Sequence, residues 1–200
     1  MAQAKGLRHT NCQDPLSETA RKVLEARLDA LVEIRGTISG PADSTALHEL
    51  RIAAKRLRYC LEMFAVCFPE KVAQERADTV REMQDVLGRI HDLDVLQDLL
   101  QERLARIDAE AREEALRIAM APADGTRRDD ELADRSRAGG SSDGRLGLYK
   151  VIAAKADERR QLYDRFTELW SQWEEAGFLT AIRGSLSSGH AMAGAAPQGT

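Results

Sequence analysis

From Leu47 to Phe68, the apolar residues Leu47, Leu50, Ala54, Leu57, Leu61, Phe64 and Phe68 recur every three or four positions. At about 100° per residue they collect into one stripe, which commits the segment to an amphipathic helix with a single face against a core. A strand would scatter the same residues over both of its faces. Similar spacing holds upstream for Leu16, Ala20, Val23, Leu24, Leu31, Ile34 and Ile38. It returns downstream in Leu148, Ile152, Leu162, Tyr163, Phe166, Trp170 and Trp173. Aromatic residues make up only 4% of the chain, so aliphatic side chains must do most of the packing. The expected fold class is all-α: an antiparallel helical bundle of about five long helices.

Boundary residues divide the chain. Asp14 as cap with Pro15 in the first turn opens a helix, and Gly36 or Gly40 with Pro41 closes it. Asp43 or Ser44 opens the second helix, expected to run to Phe68 where Pro69 follows. A third helix fits 70–87, with Gly88 as a hinge or tight contact point and a fourth helix continuing to about residue 119. The fifth spans about 148–175, and a short piece at 178–186 caps the bundle. Residues 1–13 read as a flexible leader and 187–200 as a disordered tail. Between them, the helical bundle of 14–186 is interrupted at 121–147 by a stretch rich in Gly, Ser, Asp and Arg. That stretch has too little apolar surface to offset its ordering entropy, and it reads as a mobile linker.

The formal net charge is −4 over 200 residues, so the protein as a whole is not drawn to nucleic acid or to an anionic membrane. Cys12, Cys60 and Cys67 form neither a disulfide framework nor a zinc pattern, and Cys60 and Cys67 read as core filler. No signal peptide and no apolar run of spanning length is evident, which makes the cytoplasm the expected location.

On the second helix, His48, Arg51, Lys55 and Arg58 follow i, i+3, i+7 and i+10 spacing and stack into one row beside the apolar stripe. Adjacent like charges repel by a few tenths of a kcal/mol per pair, roughly. Counter-charges must therefore face the row. Supplied by the protein, as Glu62 can do for Arg58, they make it a structural salt-bridge array; supplied by a ligand, they make it an anion site.

Further cations fall on faces that the periodicity turns inward: Arg27 on the first helix, Arg89 among Val86, Ile90, Leu93, Leu96 and Leu100, and Lys155 and Arg159 on the fifth helix. Unpaired buried cations cost several kcal/mol each, roughly. Either Asp85, Asp92 or Asp94 neutralises some of them, or they line a basic groove filled by an anion. Inward cations outnumber nearby inward carboxylates, which favours the groove. Arginine forks and lysine point charges suit phosphate recognition.

At these residues the chain resembles the CHAD family, the conserved-histidine α-helical domains. "LHELRIAAKRLRYCLEMF" (47–64) is similar to the family's His-x-x-Arg helix with its basic run. "LGRIHDLDVLQDLL" (87–100) is similar to its Leu-Gly-x-x-x-Asp-x-x-Val-Leu helix start, and "ADERRQLYDRFTELWSQW" (156–173) resembles the closing helix more weakly. The resemblance, over roughly 15–180, implies a helical bundle whose basic channel binds inorganic polyphosphate, with association to polyphosphate granules. By position it implies that His48, Arg51, Lys55 and Arg58 contact the anion, with Arg89 and Arg159 as further contacts; Lys155, inward on the fifth helix, joins them as a candidate from its placement alone. Family members commonly carry two copies of a four-helix unit, whereas only one is legible here. The groove would then be half-built, or completed by a second chain as a homodimer.

Two other readings compete. A structural or protein-binding bundle would pair the basic row internally. A histidine phosphotransfer domain would use His48 as its nucleophile, but Glu49, Leu50 and Arg51 leave no small-residue approach to it. No catalytic residue, metal site or cofactor is expected. Asp92, Asp94 and Asp98 spread over different faces of one helix, and the four histidines lack the spacing of a zinc pair.

Overall fold

A computed structural model of the chain describes residues 14–68, 70–120 and 144–188, with residues 130, 133 and 134 between the last two stretches. The expected leader 1–13, most of the 121–147 linker and the tail beyond 188 lie outside the described residues. Among the described residues every regular element is helical and there is no strand, so the chain is an all-α helical bundle. The elements are α1 (Leu16–Thr37), α2 (Ser44–Met63), a 3-10 turn (Ala65–Cys67), α3 (Glu70–Met120), α4 (Arg145–Glu175) and α5 (Phe178–Ser188).

Local chemistry accounts for the boundaries. Pro15, rather than Asp14, occupies the position before α1, and its carbonyl accepts from the amides of Glu18 and Thr19. Asp14 instead accepts from Lys22 Nζ at 2.9 Å. At α2 the cap is Asp43, whose carboxylate accepts from the Ala46 amide at 3.3 Å. The α2 helix stops at Met63, five residues short of Phe68. The chain then tightens into bonds from Cys67 N–H to the Phe64 carbonyl and from Phe68 N–H to the Ala65 carbonyl. Phe68 is extended (φ −120°, ψ 161°), as the residue before a proline prefers to be. Gly177 takes φ +60° where α4 ends, a left-handed value that glycine adopts without strain, and α5 starts directly behind it.

The largest departure from expectation is at Gly88. The two helices expected at 70–87 and 88–119 are one 51-residue helix. Glycine in a helix interior costs about 1 kcal/mol relative to alanine. Leu87 and Ile90 beside it are almost wholly buried, and burying one such side chain gains about 1.5–3 kcal/mol. Burial exceeds the glycine penalty, and the helix continues.

The described residues fall into two compact units. One holds the chain up to His91 together with residues from Gln161 onward. Leu24, Leu28 and Leu31 of α1, Leu50, Leu57 and Leu61 of α2, Met83, Leu87 and Ile90 of α3, Phe166 of α4 and Ile182 of α5 form its core. Cys60 and Cys67 pack half-buried against that core, and burial pushes the Cys67 thiol pKa up. Ion pairs tie the helices at the rim: Arg165 to Glu82 at 2.8 Å and Arg183 to Asp29 at 2.6 Å.

The other unit, Asp92–Arg160, comprises the second part of α3 and the first part of α4. Leu93 and Ile118 are its buried apolar residues, with Leu100, Leu104, Ile107 and Ile152 half-buried. Its surface carries ion pairs such as Arg106–Glu102 and Arg117–Glu114. No helix among the described residues is long and apolar enough to cross a membrane.

Candidate functional site

Because the apolar stripe of α2 faces the core, the row beside it comes to lie along α3. The two helices run antiparallel there. His48 meets His91, Arg51 meets Gly88, and Arg58 meets Gln84, so the contacts on α2 ascend while those on α3 descend. The α3 side of this seam has no carboxylate at these three positions, so a carboxylate partner has to come from elsewhere, as Glu62 of α2 does for Arg58.

The four members of the row have different surroundings. Arg58 is largely buried and engaged on two sides: its Nε donates to Gln84 Oε1 at 2.9 Å, and its Nη1 pairs with Glu62 at 2.6 Å. Its guanidinium also lies 4.4 Å from the centre of the Tyr59 ring. Glu62 is shared further with Arg81 at 3.2 Å. Here the internal salt-bridge reading of the row holds. Arg51 and Lys55 differ. Neither has a hydrogen bond or carboxylate partner among the described residues; Arg51 lies half-buried against Gly88, and exposed Lys55 has its Nζ 5.8 Å from the Tyr59 ring.

His48 and His91 form the contact that sequence reasoning missed. Their Nδ1 atoms are 3.3 Å apart and their ring centres 4.4 Å apart, with the planes tilted by 46°. One Nδ1 must carry the hydrogen and the other must accept it. A first added proton can enter at Nε2 of the donor ring and leave this bond intact. A second would set two N–H groups head to head. Burial, then His91 and Arg51, hold the His48 pKa below its ordinary value, against the weaker opposing pull of Glu49. The one sequence signal was register: His91 follows Gly88 and Gln84 at helical spacing, but nothing in the chain announces which row of α2 they face.

A Cβ placed on Gly88 would sit 3.7 Å from Arg51 Nε, an ordinary contact. Gly88→Ala should therefore raise stability by about 0.5–1 kcal/mol, the helix-propensity gain, seen as a higher denaturant midpoint with an unchanged slope.

The other cations expected at the site are placed differently. Arg89 is exposed, and does not lie among the inward apolar residues. The buried line of α3 is Met83, Leu87 and Ile90, with Val86 only half-buried, and Arg89 stands about 100° from Ile90 and 200° from Leu87. Arg159 is buried as expected, but inside its own unit it pairs through Nε and Nη2 with both carboxylate oxygens of Asp94. Lys155 pairs with Glu158 at 2.8 Å. On α1, Arg27 Nε is buried without a hydrogen-bond partner among the described residues. Arg35, not singled out from sequence, lies over the rings of Phe166 and Trp170 at 5.5 and 5.6 Å. Among the described residues no group of three or more His, Cys, Asp or Glu side chains stands together to hold a metal.

These features place the chain among all-α proteins whose bundle helix displays a row of basic side chains. The family model described as the CHAD domain matches residues 2–101, half of the 200-residue chain. The chain belongs to the CHAD family. The match takes in the α2 row, His91 and Arg89, while Lys155 and Arg159 lie beyond it. No curated protein and no solved structure matches the chain.

Proposed function

We propose that this chain is a non-catalytic polyanion-binding module that takes inorganic polyphosphate along the α2 row. Arg51 and Lys55 are its principal contacts, His48 a pH-dependent one, and Arg58 an anchor that borders the site. The observation that carries this reading is the unpaired state of Arg51 and Lys55 beside His48, on a helix where Arg58 is neutralised from within the protein. A protein-only salt-bridge array would have placed a carboxylate opposite them. Membership of the CHAD family supports the choice of polyphosphate as the anion. Arg89, exposed on α3, is an accessory contact for longer chains. In this reading the protein acts in the cytoplasm, in association with polyphosphate granules.

The internally paired alternative has specific support at Arg58, Lys155 and Arg159, each of which has an acidic partner. A titration of the full chain with long-chain polyphosphate, followed by calorimetry, separates the two readings. Binding should weaken steeply with salt and tighten with polymer length, because the protein's cations displace condensed counterions. It should also tighten as the pH falls. In the free protein His48 protonates only below its ordinary value of about 6.5, and a bound polyanion raises that value. Affinity therefore grows as the pH drops from above the bound-state pKa to the free-state pKa. The absence of binding at low salt and pH 6 would leave the paired array as the function of the row.

A further inference from the structure

Two facing Nδ1 atoms, those of His48 and His91, share one hydrogen, and the surroundings of the two rings decide which of them supplies it. Both rings are half-buried and belong to the same compact unit. In a neutral N–H···N bond the donor ring gains partial positive charge and the acceptor ring partial negative charge. Burial foremost, then His91 and Arg51, disfavour the cationic form of His48, and Glu49 opposes them less. The positive field of Arg51, one turn on along α2, also favours His48 as the acceptor. The α3 positions that face the row add no anion to reverse this bias. Gly88 has no side chain, and Gln84 is neutral and already accepts from Arg58.

We propose that His91 is a positioning residue: its Nδ1–H donates to His48 Nδ1 and holds His48 in the neutral form that carries its hydrogen on Nε2. A carboxylate opposite His48 Nδ1 would instead stabilise the imidazolium. A neutral ring places the hydrogen without adding charge. Nε2 lies on the far side of the imidazole from Nδ1, so its N–H points away from His91. The use of that donor rests on the reading that the α2 row takes polyphosphate. There it gives the anion an N–H contact from His48 before His48 gains a proton, on the same row as Arg51 and Lys55. The other neutral form would turn an Nε2 lone pair towards a phosphate oxygen, a repulsive contact. His91 thus acts through His48 and needs no contact with the anion.

The test is long-range 1H–15N correlation of the histidine rings in the 15N-labelled full chain at about pH 8, above the ordinary histidine pKa of about 6.5. Single variants assign the signals. Free wild type should show His48 with its hydrogen on Nε2 and His91 with its hydrogen on Nδ1. His91→Asn sets an amide N–H where Nδ1–H stood and should keep His48 in that form. His91→Phe removes the donor and should leave His48 a mixture of the two neutral forms. It should also weaken binding of long-chain polyphosphate by about five-fold, the worth of one neutral hydrogen bond, with His91→Asn recovering most of the loss. His48→Ala/His91→Phe should bind no more weakly than His48→Ala. A wild-type His48 with its hydrogen on Nδ1, a His48 signal unmoved by His91→Phe, or a further loss in the double variant would each overturn the proposal. A wild type with the expected ring forms that binds no polyphosphate would sink the reading of the α2 row and leave the direction of the His91–His48 bond supported, so the two failures are told apart.

Discussion

Arg51→Ala/Lys55→Ala is expected to bind long-chain polyphosphate about 100-fold more weakly than wild type while unfolding at nearly the same denaturant concentration. Both halves of this result come from the same observation. Neither side chain has an ion pair to lose among the described residues, and their mutual repulsion on one helix face disappears with them. What the folded protein forfeits is the exposed Lys55 contact with Tyr59, worth about 0.5 kcal/mol, and some packing of the Arg51 stem. In the complex, a charge-assisted contact contributes about 1.5–3 kcal/mol, so two at the lower end account for about two decades in affinity. Arg58→Ala should behave in the opposite way. It abandons Glu62 and Gln84 and should cost about 1–2 kcal/mol of stability, with a smaller change in binding. Calorimetric titration and urea melts on the three proteins read both quantities. Equal affinity for wild type and the Arg51/Lys55 variant would remove the α2 row from the site.

The second large effect should come from Asp94→Asn. Arg159 is buried to within 10% of its side-chain surface, and Asp94 offers it both carboxylate oxygens. The asparagine keeps the shape and removes the countercharge, leaving a buried guanidinium short of its anion. Such single-partner deletions cost about 3 kcal/mol. Few apolar residues are buried in this unit, so the loss should appear locally. Backbone amides of 92–120 and 145–160 should exchange hydrogen faster, with less change around Leu50 and Leu57. Asp94→Leu/Arg159→Met is the informative control. Removing both charges together should be near neutral, because neither is then left buried alone. A double variant as damaged as Asp94→Asn would show that packing, rather than charge, holds the pair.

Much of the fold was legible in the chain because helical periodicity and capping act over a few residues. The α2 stripe, the Asp43 cap and the tilt of His48, Arg51, Lys55 and Arg58 to one side of that stripe follow from spacing alone. The continuity of α3 through Gly88 was not legible, since it depends on whether Leu87 and Ile90 find a core, and only the assembled bundle provides one. The inward placement of Arg89 failed for a related reason. The set Val86, Ile90, Leu93, Leu96 and Leu100 takes Arg89 inward, whereas the buried line of Met83, Leu87 and Ile90 lies roughly one residue's rotation away and carries Arg89 out to solvent.

The division runs deepest within the site. Composition and spacing determined that a helical protein of this kind carries a cationic row on one helix, because a row on one helix is a property of consecutive turns. Glu62, four residues on in the same helix, neutralises Arg58, but what faces the row from the neighbouring helix was decided only by the antiparallel register of α2 and α3. That register brings Gln84 to Arg58, Gly88 to Arg51 and His91 to His48, residues 26 to 43 positions apart in the chain. The spacing within each helix says nothing about the phase of the other, so the cross-helix neighbours of a charge become known only when the two surfaces meet.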